Sequence, residues 1–125
     1  MNSPTTPATA ILDGTLCRLD ARGRRIAAHP PLATAIVEFL PGPLRTYVRE
    51  NPLGLLPGIA NLYCVDAALR LQWVAEWPFA DDPCAAILGE ENEVLAVLSV
   101  SGATLHFDAH TGRRVADPSA VAVAS

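Results

Sequence analysis

The stretch Gly102–Arg114, GATLHFDAHTGRR, decides how the chain is read. Thr104, Leu105, His106 and Phe107 form a short strand-like run that stops at Asp108, and a basic, apolar stretch resumes after Gly112. An aspartate at such a point accepts hydrogen bonds from backbone N–H groups two residues on, and a glycine supplies the positive φ at which the chain re-enters the next strand. A loop of three to four residues ending in Gly therefore predicts a hairpin. With the turn starting at Asp108, His110 leaves the face that His106 and Asp108 share. The alternating His-x-Asp-x-His is then an exposed strand end, and no metal site is assigned to it.

Two further stretches repeat the arrangement: Gly14–Arg25, GTLCRLDARGRR, and Ala60–Trp73, ANLYCVDAALRLQW. Each has an apolar residue, Asp and Ala, then an Arg four or five residues beyond the Asp. Asp20, Asp66 and Asp108 are spaced by about 46 and about 42 residues, the period of a four-stranded blade. The middle copy has Leu69 in place of the turn glycine. Asp66, Asp108 and Gly112 are the expected structural turn residues; the alternative is an unrelated β-sheet domain whose hairpins only look alike.

Eleven prolines and eight glycines interrupt the chain too often for long helices. Strands are expected near 10–13, 15–20, 24–28, 34–40, 44–49, 60–66, 70–77, 84–88, 94–100, 103–108 and 113–116. The expected fold is an all-β antiparallel meander of about two blade-like sheets plus an N-terminal partial blade, with a small β-sandwich or barrel as the alternative. Residues 10–116 form the single domain, 1–9 a disordered, Pro-rich tail and 117–125 a loose C-terminal tail. Around Pro41-Gly42-Pro43, alternation of Leu44, Thr46 and Val48 with Arg45, Tyr47 and Arg49 predicts a strand with one wet face. The run EVLAVLSVSG reads as a central strand buried on both faces. The loop ENPLGLLPG carries Leu53, Leu55 and Leu56, which either tuck under the sheet, the commoner arrangement, or meet a partner.

Half of the residues are hydrophobic and 18% charged, with a net charge of −4, a balance that argues against a nucleic-acid footprint. Arg22, Arg24 and Arg25 form a local basic cluster, read as a solvated hairpin tip. No segment has the length of a membrane span and the N-terminus lacks a signal-peptide pattern, so a cytoplasmic location is expected. Cys17, Cys64 and Cys84 are far apart and flanked by apolar residues, which suits buried structural thiols in a reducing compartment.

At NLYCVDAALRLQW and ATLHFDAHTGRRV the chain resembles the quinoprotein-like β-propeller repeat. The match spans Asn61–Trp73 and Thr104–Val115, and Thr15–Ile26 loosely. The resemblance implies that Asp66, Asp108, Thr111 and Gly112 shape hairpins and that Trp73 packs between blades. Nothing in the chain corresponds to the calcium-ligand and quinone-stacking residues of the cofactor-using members, so no cofactor is expected.

Chemistry-bearing motifs are sparse. There is no nucleophile elbow, phosphate loop or dinucleotide fingerprint, and Glu90, Glu91 and Glu93 read as an exposed acidic turn. No catalytic residue is assigned. The densest aromatic stretch, QWVAEWPFADDP, offers Trp77, Phe79, Asp81 and Asp82 as the rim of a ligand or partner site, with core packing as the competing role of Trp77. The expected function is a non-catalytic interaction or assembly module, completed by self-association, a homodimer being the simplest case, or by another protein partner. The alternative is a small enzyme or ligand-binding protein using the Trp77 region with Glu76, Asp81 and Asp82.

Overall fold

The computed structural model describes residues 8–116, and among these there is no helix. Eleven strands form three antiparallel meander sheets, none closed into a barrel. The N-terminal sheet contains β1 (Ala8–Leu12), β2 (Thr15–Leu19) and β3 (Arg25–His29). In the middle sheet β4 (Ile36–Pro41), β5 (Arg45–Glu50), β6 (Leu62–Asp66) and β7 (Leu71–Val74) follow one another in order. The C-terminal sheet runs in the same way through β8 (Cys84–Glu91), β9 (Val94–Ser99), β10 (Thr104–Asp108) and β11 (Arg114–Val115). β1 begins at Ala8, two residues inside the expected tail. The rest of that tail and the tail expected at 117–125 lie outside the described residues. No helix among the described residues is long and apolar enough to cross a membrane.

The three Asp turns share one hydrogen-bond pattern. Asp20 Oδ1 accepts from the amides of Arg22 and Arg24, and Asp66 Oδ1 accepts from those of Ala68 and Arg70, all at 2.9 Å. Asp108 Oδ1 accepts from His110 at 2.8 Å and Thr111 at 3.1 Å, in a loop one residue longer. Each turn then reaches a left-handed residue: Gly23 at φ 79°, Leu69 at φ 64° and Gly112 at φ 73°. Leu69 holds a conformation that suits glycine because its side chain is buried, packed with Leu16, Ile36, Val48, Tyr63 and Val65. Burial of a leucine is worth about 1.5–3 kcal/mol, which offsets the cost of about 1–2 kcal/mol for its backbone.

The sheets stack face to face with the middle sheet between the other two. One core joins the N-terminal sheet, through Leu16, Ile11 and Ala27, to Val48, Tyr63 and Val65 of the middle sheet. The other joins Tyr47, Leu62, Cys64 and Trp73 to Leu95, Val97, Leu105 and Phe107 of the C-terminal sheet. Successive residues of a strand point to opposite faces, so Leu62 through Val65 are all buried, serving the two cores alternately.

This stacking corrects two expectations about burial. β5 has no wet face: Thr46, Tyr47 and Val48 are buried and Arg45 and Arg49 half-buried. Tyr47 tolerates this because its hydroxyl donates to Glu90, and Arg49 because its Nε meets Glu38 at 2.6 Å. β9, conversely, buries only Leu95, Val97 and Ser99, leaving Val94, Ala96 and Leu98 half-exposed on the outer face. Of the leucine-bearing loop only Leu55 is half-buried; Leu53 and Leu56, 80% and 71% exposed, do not tuck under a sheet.

Polar ties fix the sheets against one another. Asn61 donates through Nδ2 to the carbonyls of Glu50 and Cys84, at 2.7 and 2.9 Å, and accepts from the Cys84 amide at 2.9 Å. Trp73 Nε1 donates to the Ala109 carbonyl at 2.9 Å, carrying the middle sheet onto the Asp108 turn. Gly112 lies against the same indole: a Cβ there would come within 2.4 Å of the ring. The Glu50 carboxylate is buried and accepts from the amides of Leu32, Ala33 and Thr34 and, at 2.5 Å, from the Tyr63 hydroxyl, which pins the β3–β4 connection.

Candidate functional site

The sequence-predicted rim residues are near one another, and most of their polar atoms are engaged within the fold. Trp77 is half-buried, stacks on Phe107 with centroids 5.6 Å apart and donates its indole N–H to the Asp82 carbonyl at 2.8 Å. Asp82 accepts from the Ser101 amide at 2.8 Å and from its hydroxyl at 2.5 Å, so it ties down the β9–β10 turn. The Ser101 hydroxyl holds this carboxyl below the usual carboxylate range. Phe79 is 38% exposed with the Arg114 guanidinium 5.7 Å above its ring, and Asp81 is exposed. Glu76 accepts from the Arg114 amide at 3.0 Å. Trp77 and Phe79 face a cleft of about 410 Å³ whose other walls are Leu32, Ile59 and Val74.

A second constellation lies at the rim between the middle and C-terminal sheets, and sequence reading missed it. Arg45 meets His110 Nδ1 at 3.2 Å, His110 Nε2 meets Glu93 at 2.6 Å, and Tyr47 is bonded to Glu90. Burial and the Glu90 carboxylate both raise the Tyr47 hydroxyl above its ordinary range. Glu90, Glu91 and Glu93 lie on the exposed hairpin end that was expected, with left-handed turn residues at Asn92 and Glu93; Glu90 reaches Tyr47 of β5 and Glu93 reaches His110. Their partners come from 43 and 17 residues away, beyond the reach of a local pattern. His106, by contrast, sits on the outer face of the C-terminal sheet, opposite Ala96, apart from this rim.

That outer face is uncovered among the described residues. Its rows, read across the sheet, are Ala86, Leu98 and Thr104, then Gly89, Ala96, His106 and Val115. Leu88 is 55% exposed beside them. The outward row of the N-terminal sheet, Ala10, Cys17 and Ala28, differs in that Cys17 at its centre is fully buried, while Leu12 and Ile26 are exposed nearby. No other described element packs on the outer face of the C-terminal sheet. A stripe of small and aliphatic side chains offers shape and apolar area for docking, but no nucleophile, acid–base pair or ligand set.

The three thiols are buried and free. Burial pushes Cys64 and Cys84 each up to about 12, so neither is a nucleophile at neutral pH. Among the described residues no group of three or more His, Cys, Asp or Glu side chains is placed to hold a metal ion. No family model matches the chain, and no curated protein is found similar to it.

Proposed function

We propose that this chain is a non-catalytic assembly module built from blade-like β repeats, of which the quinoprotein-like repeat is the nearest in form. One observation carries the reading. The middle sheet buries both faces, whereas the outer face of the C-terminal sheet, with the same strand order and the same kind of Asp turn, is apolar and uncovered. Repeat sheets bury their faces against neighbours, so an uncovered one is a docking surface for another unit. The exposed Leu53, Leu56 and Ile59 add apolar surface at one end of the stack. The buried free thiols support a reducing compartment and so favour a cytoplasmic location.

A homodimer is the simplest assembly, because two-fold oligomers are commonest. Sedimentation equilibrium across a concentration series tests it. The weight-average mass is expected to rise from the 13.2 kDa of one chain toward about twice that value. A mass of one chain that persists from micromolar concentration upward would overturn the reading.

A second reading, a small ligand-binding protein, is favoured by the Trp77–Phe79 cleft. Its walls are apolar, and the neighbouring Glu76 and Asp82 are engaged by backbone amides, which supports an apolar occupant over a reacting substrate. That reading survives if the protein is a stable monomer.

A further inference from the structure

We propose that two copies of this chain stack the outer faces of their C-terminal sheets about a two-fold axis that crosses the strands, so that β9 of one copy lies along β9 of the other in the opposite direction. The proposal rests on the assembly reading and names its surface and register.

The relief of the face is self-complementary in that register. Val94, Ala96 and Leu98 alternate outward along β9, and Val100, 57% exposed, continues the alternation just past its end. An axis passing over Val97 sets Val94 against Val100 of the other copy and Ala96 against its Leu98. The centre of the contact then pairs a small side chain with a large one, twice over, which is how facing layers interdigitate. On β10 the same operation sets His106 over Thr104, polar against polar. On β8, Leu88 stands at a bulge between Ile87 and Gly89 and is 55% exposed. Leu88, Ala96 and His106 wall a depression of about 460 Å³ whose floor includes Gly89. A Cβ on Gly89 would have nothing within 4 Å, so the depression is open to the Leu88 side chain of the other copy. Projection and depression lie on one face within two residues of each other, the arrangement that an isologous contact requires.

Charge selects the strand-reversed register. The β8–β9 hairpin, with Glu90, Glu91 and Glu93, makes one end of the face acidic. In this register it lies over the β9–β10 turn of the other copy. Val94, beside the hairpin, is about three residues from the axis, so the two acidic ends are about 20 Å apart, beyond the screening length of about 8 Å in physiological salt. A two-fold axis running along β9 would instead set Leu98 on Leu98 and one acidic hairpin on the other, which is unfavourable. The size of the face sets the strength. Four strands make it about 19 Å wide, and Val94 to Val100 about 20 Å long. The two copies together cover a footprint of about 800 Å², in the range of a weak, reversible contact.

A swap of the central pair tests the register. Ala96→Leu sets leucine against leucine and Leu98→Ala sets alanine against alanine, and each is expected to raise the dimer Kd about tenfold in sedimentation equilibrium. The double variant restores the pair with its sides exchanged and should return to within about threefold of the unmodified chain. Circular dichroism melts establish that each variant is folded. Leu88→Ser, on an exposed position, is an independent arm and should also raise Kd about tenfold. Additive losses in the folded double variant, or a dimer that none of the changes weakens, would overturn the register while leaving assembly itself standing. An unmodified chain that stays monomeric would overturn both.

Discussion

Replacing Gly112 by alanine isolates the contact that ties the middle sheet to the C-terminal one. Gly112 is at φ 73° and a Cβ there would lie 2.4 Å from Trp73 Cε3 and 2.6 Å from Cδ2. Gly23, at φ 79° in the equivalent Asp20 turn, has nothing within 4 Å of the same atom. The left-handed conformation costs an L-residue about 1–2 kcal/mol at either site. Only Gly112→Ala also forces the indole away from its place in the core, an overpacking cost of about 1–3 kcal/mol. The Trp73 N–H cannot shift freely, because it is bonded to the Ala109 carbonyl at 2.9 Å. Gly23→Ala should therefore lose about 1–2 kcal/mol and Gly112→Ala about 2–5 kcal/mol. In a domain of this size, 1 kcal/mol corresponds to about 4 °C in Tm. Thermal melts followed by circular dichroism, with tryptophan fluorescence as a second probe, give both values. Equal losses at the two glycines would refute the contact and with it the packing of Trp73 against the Asp108 turn.

Other outcomes follow from the buried polar groups and the remaining turn. His29 is held below its ordinary value of 6.5 by burial, against the pull of Glu50, so the unfolded chain takes up a proton first as pH falls. Stability should decline from about pH 6.5 downward, and His29→Phe should remove that first phase from a Tm-against-pH curve. Burial pulls the Glu50 carboxyl upward, but the Tyr63 hydroxyl and the amides of Thr34, Leu32 and Ala33 outweigh it and leave it below 4.5. Its contribution is complete above pH 4.5 and is lost as pH falls through the lower folded value, a second decline that Glu50→Gln should abolish. Leu69→Gly should relieve the backbone yet destabilise by about 1–3 kcal/mol, because the buried side chain outweighs the strain; a gain in Tm would contradict that balance. Ser101→Ala should raise the Asp82 carboxyl toward its ordinary range in an NMR titration, whereas an unchanged titration would mean that Ser101 does not hold it.

The strands and turns were legible in the sequence because their causes are local. Each Asp turn is made by amides two to four residues from the aspartate, so three short stretches disclosed three equivalent hairpins. Which faces are covered was less legible, since β5 and β9 both contain apolar and polar residues in strand-like order. β5 is the doubly buried one because Glu90 and Glu38 reach in from elsewhere to satisfy Tyr47 and Arg49. The engagement of Asp82 within the fold was not legible, because the Ser101 that meets it is 19 residues away in the chain. Glu50 gave no signal for the same reason, its backbone donors lying 16 to 18 residues before it.

Sedimentation equilibrium of the unmodified chain beside its Ala96→Arg variant tests the assembly reading most directly. Ala96 is half-exposed on the outer face of the C-terminal sheet, where a long cation would block docking. The unmodified chain should approach about twice its 13.2 kDa mass as concentration rises, while the folded variant stays at one chain. Equal association of the two would contradict the account.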